Sequence, residues 1–395
     1  MRRWISVTAP YRADHVGSLL RPPEVLEAHE AYQAGRMGLE QMREVEDRAI
    51  LVALELQKQV GLDVFTDGEY RRRAWASEFA ESVEGYVEGP PPIVMRWSRP
   101  SPTLTPSPSP ASGRGVAEGR GEGGPGVRAV SRVIGERLRQ KRRLAAHEAD
   151  FLLRHAPGPV KITLPAASYI VARGYNPSIS AKAYPRRADL LADVAAIIRA
   201  EVQALVAEGV SYIQIDNPHY PDYIDEERRA QWQAIGIDPD QALAEDIAAD
   251  NASLEGIDRS RVTIGMHICR GNSRSAWHTQ GGYERIAEPV FGSLNVDRFL
   301  LEYDSERAGG FEPLRFVPRG KTVVLGLITT KEGRLEPQGE LLRRIEEASK
   351  YVPLEHLALS PQCGFASVAE GNLITWDEQR RKLELVVETA RKVWG

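Results

Sequence analysis

Short β-prone runs alternate with longer amphipathic stretches along almost the whole chain, and this pattern constrains the fold more than any other feature. Eight such runs can be read: "DHVGS" at 14–18, "LDVFTD" at 62–67, "PVKITLP" at 159–165, "VSYIQID" at 210–216, "RVTIGMHIC" at 261–269, "DRFLLEYD" at 297–304, "KTVVLGLIT" at 321–329 and "HLALSP" at 356–361. Helical periodicity separates most of them, clearest at 187–209, where leucine, valine and isoleucine recur at helical spacing. Strands that alternate with helices pair in parallel, and eight such units closing on themselves make an α/β (β/α)8 TIM barrel. A doubly wound open sheet is the alternative, but no glycine-rich phosphate fingerprint follows the first run.

The expected domain plan is one barrel over residues 1–395 with a single interruption. From 100 to 126 the chain reads "PSPTLTPSPSPASGRGVAEGRGEGGPG", which holds six prolines and seven glycines. A segment of that composition cannot bury enough apolar surface to offset its ordering entropy, so 100–127 is expected to be a disordered insertion. The flanking runs "PIVMRW" and "VRAVSRVIG" are the expected arms of a β-hairpin carrying it at the tip. The basic stretch at 135–156 is expected to be a helix with a solvated charged face. Lysine and arginine total 51 against 55 aspartates and glutamates, a balance that argues against a nucleic-acid partner. No run has signal-peptide character or approaches a membrane span, so a cytoplasmic protein without a membrane partner is expected. Oligomeric state is not encoded in any legible motif.

Only two cysteines occur, Cys269 and Cys363, and a reducing compartment would keep both as thiols. In "VTIGMHIC" strand alternation turns Val262, Ile264, Met266 and Ile268 toward the helices and Thr263, Gly265, His267 and Cys269 toward the barrel axis. His267 and Cys269 would then project together, about 7 Å apart along the backbone. Glu302 interrupts the apolar run "FLLEYD", where a carboxylate needs a partner or a cation. His267, Cys269, Glu302 and Cys363 would together make a tetrahedral site for Zn2+. With no CxxC pair, the chain holds no zinc ribbon. Ser18, Glu69 and Asp216 also fall at the C-terminal ends of strands, the rim where chemistry sits in this fold.

"DHVGSLLRP", "TDGEYRRRAW", "IQIDNPHY", "HICRGN", "LLEYDSERAG", "VVLGLITTK" and "LALSPQCGF", in this order, resemble the cobalamin-independent methionine synthase family, in particular its short members that match the catalytic half alone. The resemblance implies a TIM barrel of the UROD/MetE-like kind and a zinc-dependent S-methyltransferase that makes methionine from homocysteine. It places zinc on His267, Cys269, Glu302 and Cys363, the substrate ammonium on Glu69 and Asp216, and the substrate carboxylate on the backbone at Gly17 and Ser18. Two carboxylates suit a cation and a Gly-Ser turn offers N–H donors to an anion. The competing fates are pairing of Glu69 with Arg71 or Arg72 and a helix-capping role for Asp216.

Two departures from the family pattern bear on the methyl donor. Nothing here corresponds to the second barrel of the long members, which leaves the donor open between 5-methyltetrahydrofolate and another methyl carrier. Lys331, or Thr330, stands where the long members have a histidine on the loop after the seventh strand, which makes Lys331 a candidate catalytic residue. The loop with Arg270, Arg274, Trp277 and His278 is expected to face the donor, with Trp277 as a stacking platform. The rival function is a zinc-thiol alkyltransferase on the same barrel that acts on another thiol, such as the epoxide-opening coenzyme M type.

Overall fold

The computed structural model describes residues 11–99 and 132–395. The proposed 100–127 insertion lies entirely outside them.

Six parallel strands follow one another in a single sheet in chain order. After a hairpin of β1 (Val83–Glu88) and β2 (Arg132–Gln140), they are β3 (Lys161–Pro165), β4 (Tyr212–Asp216), β5 (Thr263–Ile268), β6 (Arg298–Glu302), β7 (Thr322–Ile328) and β8 (Leu357–Pro361). Each coincides with one of the runs read from the sequence. The first two runs close the barrel as single bridges rather than as ladders, with Ala13 against Leu359 of β8 and Phe65 against Val160 just before β3. Asp14 N donates to Leu359 O and Phe65 N to Pro159 O, both at 2.9 Å. The truncation has a local cause, since Ala13 N donates to the Asp63 side chain at 3.0 Å and His15 N to that of Asp14 at 2.8 Å. Aspartate oxygens thus take the place of ladder carbonyls.

The strand phase read for β5 holds. Val262, Ile264, Met266 and Ile268 join the large core between sheet and helices. A Cβ on Gly265 would meet Leu300 Cδ1 at 2.9 Å and the Tyr212 hydroxyl at 3.0 Å inside the barrel. Lower in the barrel the axis is filled by charge. Lys161 Nζ donates to Asp14 Oδ1 at 2.6 Å, and Arg298 to Asp14 Oδ2 at 3.1 Å. The expected helix at 187–209 forms over Arg187–Glu208, and Gly209 ends it at φ +101°.

Two expectations about the excursion need correction. The first hairpin arm is Val83–Glu88, which pairs antiparallel with Arg132–Gln140, and not "PIVMRW". Pro90, Pro91 and Pro92 remove three consecutive N–H donors and end the strand before that run. The stretch expected to be helical from 135 begins instead as strand, with the helix confined to Ala146–His155. Pairing with β1 overrides its helical charge pattern, and Gly135, where a Cβ would collide with Val87, suits that close strand approach. Among the described residues no helix is long and apolar enough to cross a membrane.

Candidate metal and substrate site

A cavity of about 290 Å³ opens at the C-terminal ends of the barrel strands, and its floor includes Ser18, Glu69, Asp216, His267, Cys269 and Cys363. His267 and Cys269 come from the end of β5 and Cys363 from the turn after β8. One ligand atom from each of these three lies within 4.8 Å of the others, and all three side chains are buried. The two sulfurs are 3.7 Å apart. Two thiolates bound tetrahedrally at about 2.3 Å from one ion would lie about 3.8 Å apart. His267 Nδ1 faces the Leu300 carbonyl at 3.3 Å, which fixes the proton on that nitrogen and leaves the Nε2 lone pair free. Nε2 is buried and has no hydrogen-bond partner among the described residues. The contact with Cys269 and the nearby His267 and Lys331, against burial, pull the Cys363 thiol well below its ordinary pKa. The same close contact, together with burial, pushes Cys269 up. Two sulfurs and one unshared imidazole nitrogen are a donor set that fits zinc.

Glu302, expected as a fourth ligand, ends β6 beside this trio without joining it. Oε1 accepts from Arg307 Nη2 and Oε2 from Arg270 N, each at 2.7 Å. Burial works against its charge, but Lys331, Arg270 and Arg307 outweigh that and hold its pKa at about 2. Lys331 lies outside the cavity lining and donates to Gly271 O at 3.2 Å and Asn272 Oδ1 at 3.3 Å. It fastens the loop after β5.

Glu69 and Asp216 face each other across the cavity floor, each with one oxygen engaged. Glu69 adopts φ +59°, a conformation that a glutamate holds only under constraint. Its Oε1 accepts from Thr163 Oγ1 at 2.8 Å, while Oε2 is buried without a partner among the described residues. Arg72 approaches Oε1 at 3.6 Å, but its main partner is Glu148, bonded at 2.7 and 2.5 Å. Asp216 Oδ1 accepts from Gln214 Nε2 at 2.7 Å. It caps no helix, because the next helical turn is Tyr220–Tyr223. Burial, reinforced by the Glu69 charge and opposed by His267, pushes the Asp216 pKa up to about 7. Burial also raises that of Glu69.

Gly17 sits at φ +142°, where a Cβ would meet Thr163 Cγ2 at 2.9 Å. Among the described residues, neither its N–H nor that of Ser18 donates to the protein. Gly364 packs so tightly on Ser18 that a Cβ there would overlap the serine hydroxyl, which brings the first loop and the last together over the floor.

The loop after β5 meets only part of its expectation. His278 lines the cavity, whereas the guanidinium of Arg270 turns away onto Gly281 O and the Tyr283 hydroxyl. Arg274 and Trp277 are absent from the lining, and Trp277 lies instead under Arg307 at 4.4 Å. The aromatic wall is built by Trp75, Tyr169 and Trp97, with Arg173 and Met95 beside them. No motif announces these residues. Trp97 and Met95 belong to the run read as a hairpin arm, which crosses the mouth with Ser98 bridged to Trp277.

The family model for the catalytic domain of cobalamin-independent synthase matches residues 12–106 and 174–392. Two Bacillus subtilis proteins, YxjH and YxjG, both uncharacterized, are each 37% identical over 98% of this chain and 95% of their own length. A methionine synthase of Saccharolobus solfataricus is 24% identical over 93% of this chain and 95% of its own. A crystal structure from Listeria monocytogenes, assigned to the vitamin B12-independent methionine synthases, superposes with a TM-score of 0.72 at 30% identity, covering 98% of this chain and 99% of that one. A B12-independent methionine synthase from a Shewanella species, solved with selenomethionine, shares the fold with a TM-score of 0.67 at 20% identity over 97% of both chains.

Proposed function

Because the chain belongs to the cobalamin-independent methionine synthase family and is a methyltransferase, we propose that it transfers a methyl group to the thiol of homocysteine on a zinc ion held by His267, Cys269 and Cys363. One observation carries the metal reading: a buried, unshared imidazole nitrogen beside two sulfurs 3.7 Å apart. A zinc ion held by these three residues would supply the acidity that keeps an incoming thiol deprotonated as a nucleophile at neutral pH.

The protein's own groups do the rest. The unpartnered oxygen of Glu69 and the second oxygen of Asp216 receive the substrate ammonium. The N–H groups of Gly17 and Ser18, unshared among the described residues, receive the carboxylate. These contacts orient the amino acid so that its thiol end reaches the sulfur and imidazole cluster. Glu302, held beside the cluster by Arg307, would serve a bound ion as an exchangeable oxygen ligand rather than a fixed one. The methyl donor, a methylated tetrahydrofolate or another carrier, enters over the aromatic wall of Trp75, Tyr169 and Trp97.

The same zinc chemistry would serve another thiol. Two buried carboxylates favour an amino-acid thiol and oppose a sulfonate thiol, because an additional anion there would be repelled. Incubation of the purified protein with homocysteine and a panel of methyl donors, with methionine followed by mass spectrometry, tests the reaction. Methionine formed from at least one donor is expected. Turnover of a sulfonate thiol with none of homocysteine would replace the substrate assignment.

A further inference from the structure

Gln214 stands two residues before Asp216 on β4, so both side chains point into the barrel, and it is fully buried. Its amide bridges the charged plug below and the cavity floor above. Oε1 accepts from Lys161 Nζ at 3.0 Å. Nε2 donates to Asp216 Oδ1 at 2.7 Å and to Val16 O at 2.8 Å. A lysine ammonium can only donate, so it locks the amide with its oxygen down and its NH2 up. Lys161 is itself fixed, donating also to Asp14 Oδ1 and to the His15 carbonyl. The chain Asp14, Lys161, Gln214, Asp216 therefore runs up the barrel axis with one permitted direction of hydrogen bonding.

We propose that Gln214 is a positioning residue for substrate selection: locked by Lys161, it commits Asp216 Oδ1 and so presents the other oxygen to the ammonium group of an amino-acid thiol. The same NH2 holds Val16 O, which anchors the turn at Gly17 and Ser18 assigned to the substrate carboxylate. One buried amide thereby sets the spacing between the ammonium-binding and carboxylate-binding sides. This inference rests on the reading that Asp216 receives the substrate ammonium.

Calorimetric titration of the zinc-loaded protein with homocysteine and with 4-mercaptobutanoate, the same thiol without its amino group, separates the two ideas. Wild type should prefer homocysteine; equal affinity would remove the ammonium reading and the role of Gln214 with it. In Gln214→Met the preference should fall about tenfold or more, the usual consequence of losing a hydrogen bond to a charged group, with zinc content unchanged. On an Asp216→Asn background the same substitution should change the preference little, because Gln214 acts through that carboxylate. Gln214→Glu, which keeps the shape and replaces the donor with an acceptor, gives a second measurement if the methionine variant is unstable. A preserved preference in a folded Gln214 variant, a parallel loss of zinc, or effects of the two substitutions that multiply would overturn the assignment while leaving the ammonium reading intact.

Discussion

At the scale of single residues, the site's demands are uneven. Cys363 is the most open to test, because it is the member of the trio that the last loop contributes. Cys363→Ser should lower bound zinc from about one ion per chain to near zero by elemental analysis, with the circular dichroism spectrum retained. Normal zinc content in that variant would refute the ligand assignment. Burial and the neighbouring Lys161 hold the His15 imidazole down at about 4, and its Nε2 meets the Val64 carbonyl at 3.1 Å. The unfolded chain takes up this proton near 6.5 and the folded chain only near 4, so stability from His15 is complete above about pH 6.5 and drains away as pH falls toward 4. Urea titrations at pH 7 and pH 4 should show wild type losing about 3 kcal/mol more than His15→Gln over that interval. The cysteines, His267, Glu69 and Asp216 were legible because each interrupts a strand pattern or sits at its end. The displacement of Glu302 was not, because it depends on Arg307, five residues further on and folded back by a 3-10 turn.

At the scale of elements, the alternation of runs revealed all eight barrel positions, but not that two would shrink to bridges. That outcome was set by Asp63 and Asp14, whose short side chains compete with the backbone for N–H groups. The hairpin arms were misread because β-propensity alone cannot tell a paired strand from an extended segment. "PIVMRW" satisfies the propensity and then runs unpaired across the mouth, pinned at Ser98, so the contributions of Met95 and Trp97 to the cavity had no local signature. Arg72 is the main fastener between elements. It joins the loop bearing Glu69 to the helix Ala146–His155 through Glu148 and to β3 through Thr163. Arg72→Met would leave Glu148 buried without its partner, and a loss of about 3–5 kcal/mol is expected in chemical denaturation. A change under 1 kcal/mol would mean that Glu148 finds another cation or takes up a proton.

At the scale of the whole molecule, the candidate metal site rides on a barrel whose core is complete without it. The large apolar cluster draws on all six strands of the parallel sheet and the helices around it, and the candidate ligands contribute nothing to it. Removal of zinc by a chelator should therefore abolish methyl transfer while leaving a cooperative thermal transition, unlike small zinc domains that unfold when the ion is lost. The melting temperature should fall only by the amount set by ligand linkage, and readdition of zinc should restore activity. A transition that vanishes on chelation would contradict this division between scaffold and site.

Cys269 and Cys363 are separated by 94 positions, and the loop of Gly364 closes over Ser18 near the opposite terminus. On a ribosome adding roughly 5–20 residues per second, the second sulfur emerges roughly 5–20 s after the first. During that interval a nascent chain presents an imidazole and one thiol with no companion, open to whichever soft cation or oxidant arrives first. The order of synthesis thus completes the three-residue donor set only with Cys363, so an ion held by all three would be loaded after the eighth barrel strand has been made.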